Sequence, residues 1–160
     1  MLSQTSEYAL RAVVHLAQIG GGPVSTQSVA DATKVPVGYL QKILRMLSRS
    51  GILEAQRGVG GGFRLARTPA RISVLDVLTA SADAIPRIDR CPLGIRGHTR
   101  LCSLHQLLDS QLANVESVFA GTSISDILKN GVDLRPLCES KSHVELSVDR
   151  AAGDTGSSVT

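Results

Sequence analysis

The stretch from residue 37 to residue 66 restricts this chain more than any other. Leu40, Ile43, Leu44 and Leu47 recur at helical spacing through residues 37–50, which puts all four on one face, against a core. Gly51 ends that pattern, because glycine tolerates the left-handed backbone at a helix C′ position. Residues 52–56 and 63–66 then read as two short strands around the turn Arg57-Gly58-Val59-Gly60-Gly61-Gly62, a hairpin signature. A helix running directly into a basic-tipped hairpin is the plan of a winged helix.

Charge adds a partner to that plan. Residues 34–71 hold eight basic side chains (Lys34, Lys42, Arg45, Arg49, Arg57, Arg64, Arg67 and Arg71) against one acid, Glu54, a net +7. The whole chain carries +3, which leaves −4 for everything else. So concentrated a positive charge points to a polyanion. Gly38, Gln41, Lys42, Arg45, Ser48 and Arg49 fall together on the face opposite the leucines, where side chains reach base edges and phosphates. A solvated helix face beside an ordinary hairpin is the bland alternative.

The segments on either side complete the domain. Residues 3–19 predict a first helix with Tyr8, Ala9, Ala12, Val13, Leu16 and Ala17 in one stripe, ended by Gly20-Gly21-Gly22-Pro23. Ser25 is placed to N-cap a second helix through residue 33, with Val29 and Ala32 facing inward. Lys34-Val35-Pro36 turns into the third helix, and helices two and three make the helix-turn-helix pair. Ser73 with Asp76 three residues on resembles a capping box for a fourth helix, to about residue 80.

Residues 81–100 show no period and contain two prolines and two glycines, so they predict a loop of functional length. Leu101, Leu104, Leu108, Leu112, Val115 and Phe119 then run down one side of a long helix, widened by Leu107 and Val118. About nineteen residues span roughly 28 Å, more apolar surface than a small domain covers by itself. A two-fold homodimer matched to a palindromic site on double-stranded DNA is the simple solution; cover for the first helix is the other. Residues 123–128 read as a short capped helix, and the polar tail as largely disordered. The expected fold class is mostly α with a small β-hairpin wing. Its winged helix-turn-helix domain covers 1–80, a cysteine-containing sensor loop 81–101, the long C-terminal dimerisation helix and short capping helix 101–130, and the tail 131–160.

Composition excludes several classes. No apolar stretch approaches the ~18 residues of a membrane span, and the first residues lack a signal peptide's basic start and apolar run. Three cysteines, an odd number without an export signal, suit a reducing cytoplasm. An enzyme is not indicated. The Gly58–Gly62 run lacks the Lys-Ser/Thr of a phosphate loop and precedes a strand, and the four histidines form no HExxH motif.

With these residues in place, Ser6-Glu7-Tyr8-Ala9-Leu10-Arg11, Gly38-Tyr39-Leu40 and Arg57-Gly58-Val59-Gly60-Gly61-Gly62-Phe63 resemble the Rrf-two family of bacterial winged-helix regulators. The resemblance continues through Cys91, Cys102-Ser103-Leu104-His105 and Thr122-Ser123-Ile124-Ser125-Asp126-Ile127-Leu128, about residues 1–130 in all. It implies a dimeric transcription factor, usually a repressor, that senses redox state, nitric oxide or iron–sulfur status. The third helix would enter the major groove with Gly38, Tyr39, Gln41, Lys42, Arg45 and Arg49, and Arg57, Gly60 and Arg64 would serve the wing.

Family members often hold an iron–sulfur cluster on cysteines before the dimer helix. Here Cys91 and Cys102 remain, but Gly97 and His98 stand where a middle cysteine is usual. A 2Fe–2S cluster needs four protein ligands, and histidine can replace cysteine. The resemblance implies Cys91, Cys102, His105 and Glu7 as a mixed set, with His98 as the alternative and Glu7 reaching across the dimer. Arg87, Arg90, Arg96 and Arg100 flank the loop and would offset a cluster's negative charge. Zinc on Cys91, Cys102, His98 and His105, a Cys91/Cys102 disulfide switch, and no cofactor stay open beside it. Glu7 on the polar side of the first helix and Cys138 as a bystander are the plain readings of those two residues.

Overall fold

The computed structural model describes residues 2–92 and 100–129. Helix α1 (Gln4–Ile19) runs through the centre of a bundle made with α2 (Thr26–Thr33), α3 (Val37–Arg49) and α4 (Val74–Ala80). A hairpin, β1 (Leu53–Gln56) and β2 (Gly62–Leu65), follows α3, and a 3₁₀ turn, Pro69–Arg71, leads into α4. The long α5 (Ser103–Gly121) and short α6 (Ile124–Lys129) close the described chain. This is the expected fold, mostly helical with one two-stranded wing.

The helix starts follow from their first residues. Ser3, Ser25 and Ser73 sit in extended backbone, and each hydroxyl accepts the backbone N–H three residues on, which satisfies donors the helix itself cannot. At α4 the box is reciprocal, since the Asp76 carboxylate accepts the Ser73 N–H at 3.0 Å. At the other end of α3, Ser50 is the C-cap and Gly51 takes φ +70°, the left-handed turn that lets the chain double back into β1.

Leu40, Ile43, Leu44 and Leu47 are buried against Ala9, Ala12, Val13 and Leu16 of α1, with Ile52, Ile72 and Val77 completing the centre. The buried hydroxyls are satisfied, with Ser6 and Ser81 meeting at 2.8 Å and Thr33 donating to the Val29 carbonyl at 2.7 Å, whereas His15 Nε2 is buried without a hydrogen-bond partner among the described residues. In α2 the buried residues are Val29, Ala30 and Thr33, while Ala32 is exposed. The expected inward Ala32 is therefore corrected. An eight-residue helix has too few apolar positions to define its phase, and packing on α1 decides it.

Two long-range ties bind the ends together. Val24 and Phe63 exchange two backbone hydrogen bonds of 2.9 Å, adding a one-residue third rung to the wing. Ser73 pairs with Ser123, Val74 N–H donates to Thr122, and Ile124 N–H donates to Ile72. Ile124 is thereby fully buried in the winged-helix core, so α6 packs back onto α1 and the 3₁₀ turn. Helix α5 is different. None of its residues is buried, and Leu104, Leu107, Leu108, Val115 and Val118 are 42–63% exposed. Residues 131–160, with Cys138, lie outside the described residues. Among those described, no helix is long and apolar enough to cross a membrane.

Candidate nucleic-acid interface and sensor site

Gly38, Tyr39, Gln41, Lys42, Arg45 and Arg49 are all exposed on α3, while Ser48 is half-buried. The same side chains that bury Leu40, Ile43, Leu44 and Leu47 thus force this polar stripe outward. Among the described residues, no carboxylate pairs with Lys42, Arg45, Arg49 or Arg57. Their charge is free for an external anion. Arg64 differs, since it reaches Glu54 across the hairpin with two N–H groups at 2.8 and 2.9 Å, an exposed pair worth little to stability but one that offsets its charge.

Tyr39 also has a structural use that its position in the sequence does not reveal. Its hydroxyl shares a 2.6 Å hydrogen bond with Thr5, and its ring meets Tyr8 edge-on at 5.8 Å between centroids. The start of α3 is thereby fastened to the start of α1. Arg11 lies over the Tyr8 ring at 5.6 Å, pairs with Glu7, and donates to the Thr33 carbonyl at 3.4 Å. Thr5 and Arg11 were not singled out by sequence. Only the i, i+4 spacing of Glu7 and Arg11 hinted at their pairing.

The wing tip Arg57, Gly58, Val59 and Gly60 is exposed throughout. Gly62 sits where a Cβ would come 2.2 Å from the Val24 oxygen, and Gly61 where one would come 2.4 Å from the Gln56 oxygen. Both glycines are required by close backbone approach.

At the start of α5 three sulfur and nitrogen donors meet. His105 Nδ1 lies 3.2 Å from Cys102 Sγ and 3.8 Å from Cys91 Sγ, and both thiols are free and half-buried. Cys102 is the N-cap residue, but its thiol makes no capping bond to the helix backbone. Sulfur and nitrogen bound to one tetrahedral metal stand about 3.6 Å apart, from bond lengths of about 2.3 and 2.1 Å. The two thiol–imidazole distances fall on either side of that spacing. No group of three or more ligating side chains among the described residues is arranged to hold a metal ion, so one chain supplies the right donor types without a closed set. His98 lies outside the described residues.

Glu7 is not with this trio. It lines a pocket with Leu10, Val118, Phe119 and Thr122, beside the last turns of α5. Val118 lies sixteen positions beyond Cys102, roughly 24 Å along the helix at 1.5 Å per residue. Nor do all the flanking arginines face the cysteines. Arg87 donates to Asp109 at 2.8 Å and to Glu116 at 3.3 Å, and Ile88 N–H also donates to Asp109. The Arg87 hydrogen bonds hold the Asp109 carboxyl down to about 2, and raise the guanidinium above its ordinary value. This clamp fastens the cysteine-containing loop to α5.

An exposed basic helix and a glycine wing on a helix-turn-helix core define a DNA-binding transcriptional regulator. Residues 2–130 match the Rrf2 family, described as an iron-dependent transcriptional regulator, and the chain belongs to that family. Its members are regulators, not enzymes. The HTH-type transcriptional regulator IscR of Cereibacter sphaeroides is 30% identical over 141 residues, covering 84% of this chain and 90% of that protein. A Synechocystis relative is 39% identical over only 85 residues, and the match spans 52% of this chain and 58% of its length. Among solved structures, T. potens IscR aligns with TM-score 0.66 at 26% identity, covering 81% of this chain and 86% of that one. The cysteine regulator CymR of B. subtilis shares the fold, with TM-score 0.69 at 23% identity over 79% and 95%.

Proposed function

We propose that this protein is a homodimeric repressor whose grip on a palindromic operator is set by the chemistry of Cys91, Cys102 and His105. It acts in the cytoplasm. Lys42, Arg45 and Arg49 hold phosphates while Gly38 and Gln41 approach base edges in the major groove, and Arg57 and Gly60 bring the wing to the neighbouring minor groove. Tyr39 positions α3 through Thr5 and Tyr8. Arg64, already paired with Glu54, contributes least of the predicted cations.

The observation that carries the sensing half is the convergence of both thiols on His105 at the head of α5. Helix α5 bears the uncovered leucines, and a second α5 laid antiparallel against them would bury that face. The same arrangement brings Glu7 of one subunit, near the tail of its own α5, toward the head of the other. Cys91, Cys102 and His105 would hold a 2Fe–2S group, with Glu7 of the partner subunit or His98 as fourth ligand. Such a group gains and loses an electron and reacts with oxidants and nitric oxide. The chain's own part is to bring the donors together and, through the Arg87–Asp109 clamp, to pass a change in the loop to α5. Only a difference in stability between two dimer states can alter DNA affinity.

The test is anaerobic purification with visible absorption and metal analysis, using Cys91→Ala and Cys102→Ala as controls. Iron, sulfide and colour lost in both variants support the cluster. Zinc without colour assigns the site to zinc. A metal-free protein whose operator affinity still changes on oxidation assigns it to the thiols. Metal-free protein that binds the operator identically under all conditions removes the sensor.

A further inference from the structure

Among the described residues, Val59 is the one large apolar residue that the fold leaves wholly in solvent. Its exposure reaches 108% of that of a fully accessible residue, whereas the other exposed large apolar residues among those described lie between 39% and 63%. It contributes nothing to the core, and a turn would be served as well by Asn, Asp or Ser. What Val59 does offer is bare hydrocarbon at a controlled position. Gly58 and Gly60 on either side take φ of +96° and +76°, and Gly61 N–H closes the turn on the Gly58 carbonyl at 3.0 Å. Behind the tip, Gly62 lies directly against Val24, and Val24 is bonded twice to Phe63. The wing is therefore anchored to the segment that begins α2. Val59 is carried at a set place relative to α3, beside the unpaired Arg57.

We infer that Val59 is a DNA-contacting residue, an apolar tip that the wing seats in the minor groove next to Arg57. This rests on the DNA-binding reading above and extends it from charge to shape. Lys42, Arg45, Arg49 and Arg57 bring a duplex to this face, and the groove then covers the valine against sugar rings. Minor-groove proteins use apolar side chains in this way. Such a contact makes no hydrogen bond, so it reads groove width and deformability, favouring A·T-rich steps whose narrow groove also attracts Arg57.

The probe is a duplex that the unaltered protein selects from a pool with a randomised centre. Against it, Val59→Ala removes two methyl groups and should weaken binding about five- to fifteen-fold. Val59→Thr keeps the shape, exchanges one methyl for a hydroxyl, and should weaken it in the same direction. Neither should change the slope of log affinity against log salt, whereas Arg57→Ala should reduce that slope by about one. Thermal unfolding of both Val59 variants should match the parent, because the side chain packs on nothing. Val59→Ala binding within about two-fold of the parent overturns the inference, and so does a loss that comes with a reduced salt slope. A parent protein that selects no duplex sinks the DNA-binding reading itself, and this inference with it.

Discussion

Helices α3 and α5 carry apolar stripes of the same helical period, yet their fates differ. In α3, Leu40, Ile43, Leu44 and Leu47 are at most 1% exposed, sealed by α1 and the hairpin. In α5, Leu104, Leu107, Leu108, Val115 and Val118 remain 42–63% exposed, and the side facing its own chain is held by the Arg87–Asp109 pair together with half-buried Leu112 and Phe119. A stripe states that a face must be covered; it does not say by what. The winged-helix half covers its own, whereas α5 leaves a face suited to a second copy.

The contrast can be broken at its strongest point first. Leu44→Ala opens a cavity in a closed core and should cost roughly 2–5 kcal/mol in urea unfolding, whereas Leu108→Ala in dilute protein should cost under about 1 kcal/mol. Equal losses would remove the distinction. The reverse asymmetry belongs to assembly. Leu108→Asp or Val115→Asp should convert the sedimenting species to monomer while leaving helical circular dichroism intact. A dimer that survives both places the interface elsewhere.

A smaller effect sharpens the picture of the wing. Gly62→Ala must displace the Val24 carbonyl, which a Cβ would approach to 2.2 Å, and overpacking of this kind costs typically 1–3 kcal/mol. It should weaken DNA binding as well, since the wing would shift on α2. An unchanged melting point would show that the wing yields freely.

The smallest expected effect is electrostatic and confined to acid. The Arg87 side chain, with help from the Ile88 N–H, holds Asp109 down to about 2 from an ordinary 3.8. A depressed carboxylate stabilises the fold above its unfolded value, and the contribution is lost as pH falls through about 2. Melting temperatures of the parent and Arg87→Gln should therefore differ by a constant amount above about pH 4 and converge toward pH 2. Curves that stay parallel would mean the clamp does not hold the loop.

Local chemistry made the winged-helix half legible. Ser25, Ser73 with Asp76, and Gly51 announce helix ends by the hydrogen bonds or backbone they permit, and the α3 stripe has four matching positions. Contacts distant in sequence left no such mark. The Val24–Phe63 rung, the burial of Ile124 and the Tyr39–Thr5 bond all join segments whose meeting depends on the finished fold. Ala32 was misjudged because α2 is too short to fix its own rotation. At the cysteine–histidine cluster, the Cys102-x-x-His105 spacing puts both side chains on one turn, so that pairing was readable. Cys91, fourteen residues from His105, joined them only through the family resemblance and not through any spacing rule, and the distance of Glu7 from the cluster left no mark in the sequence.

The central claim is that the basic stripe of α3 and the wing bind duplex DNA. The most direct test is the affinity for a selected duplex across a range of salt, for the parent and for Lys42→Ala and Arg45→Ala. A steep linear fall of log affinity with log salt is predicted, with each substitution weakening binding and a lost phosphate contact lowering the slope by about one. Affinity indifferent to salt and to duplex sequence, or unchanged by both substitutions, would contradict the account.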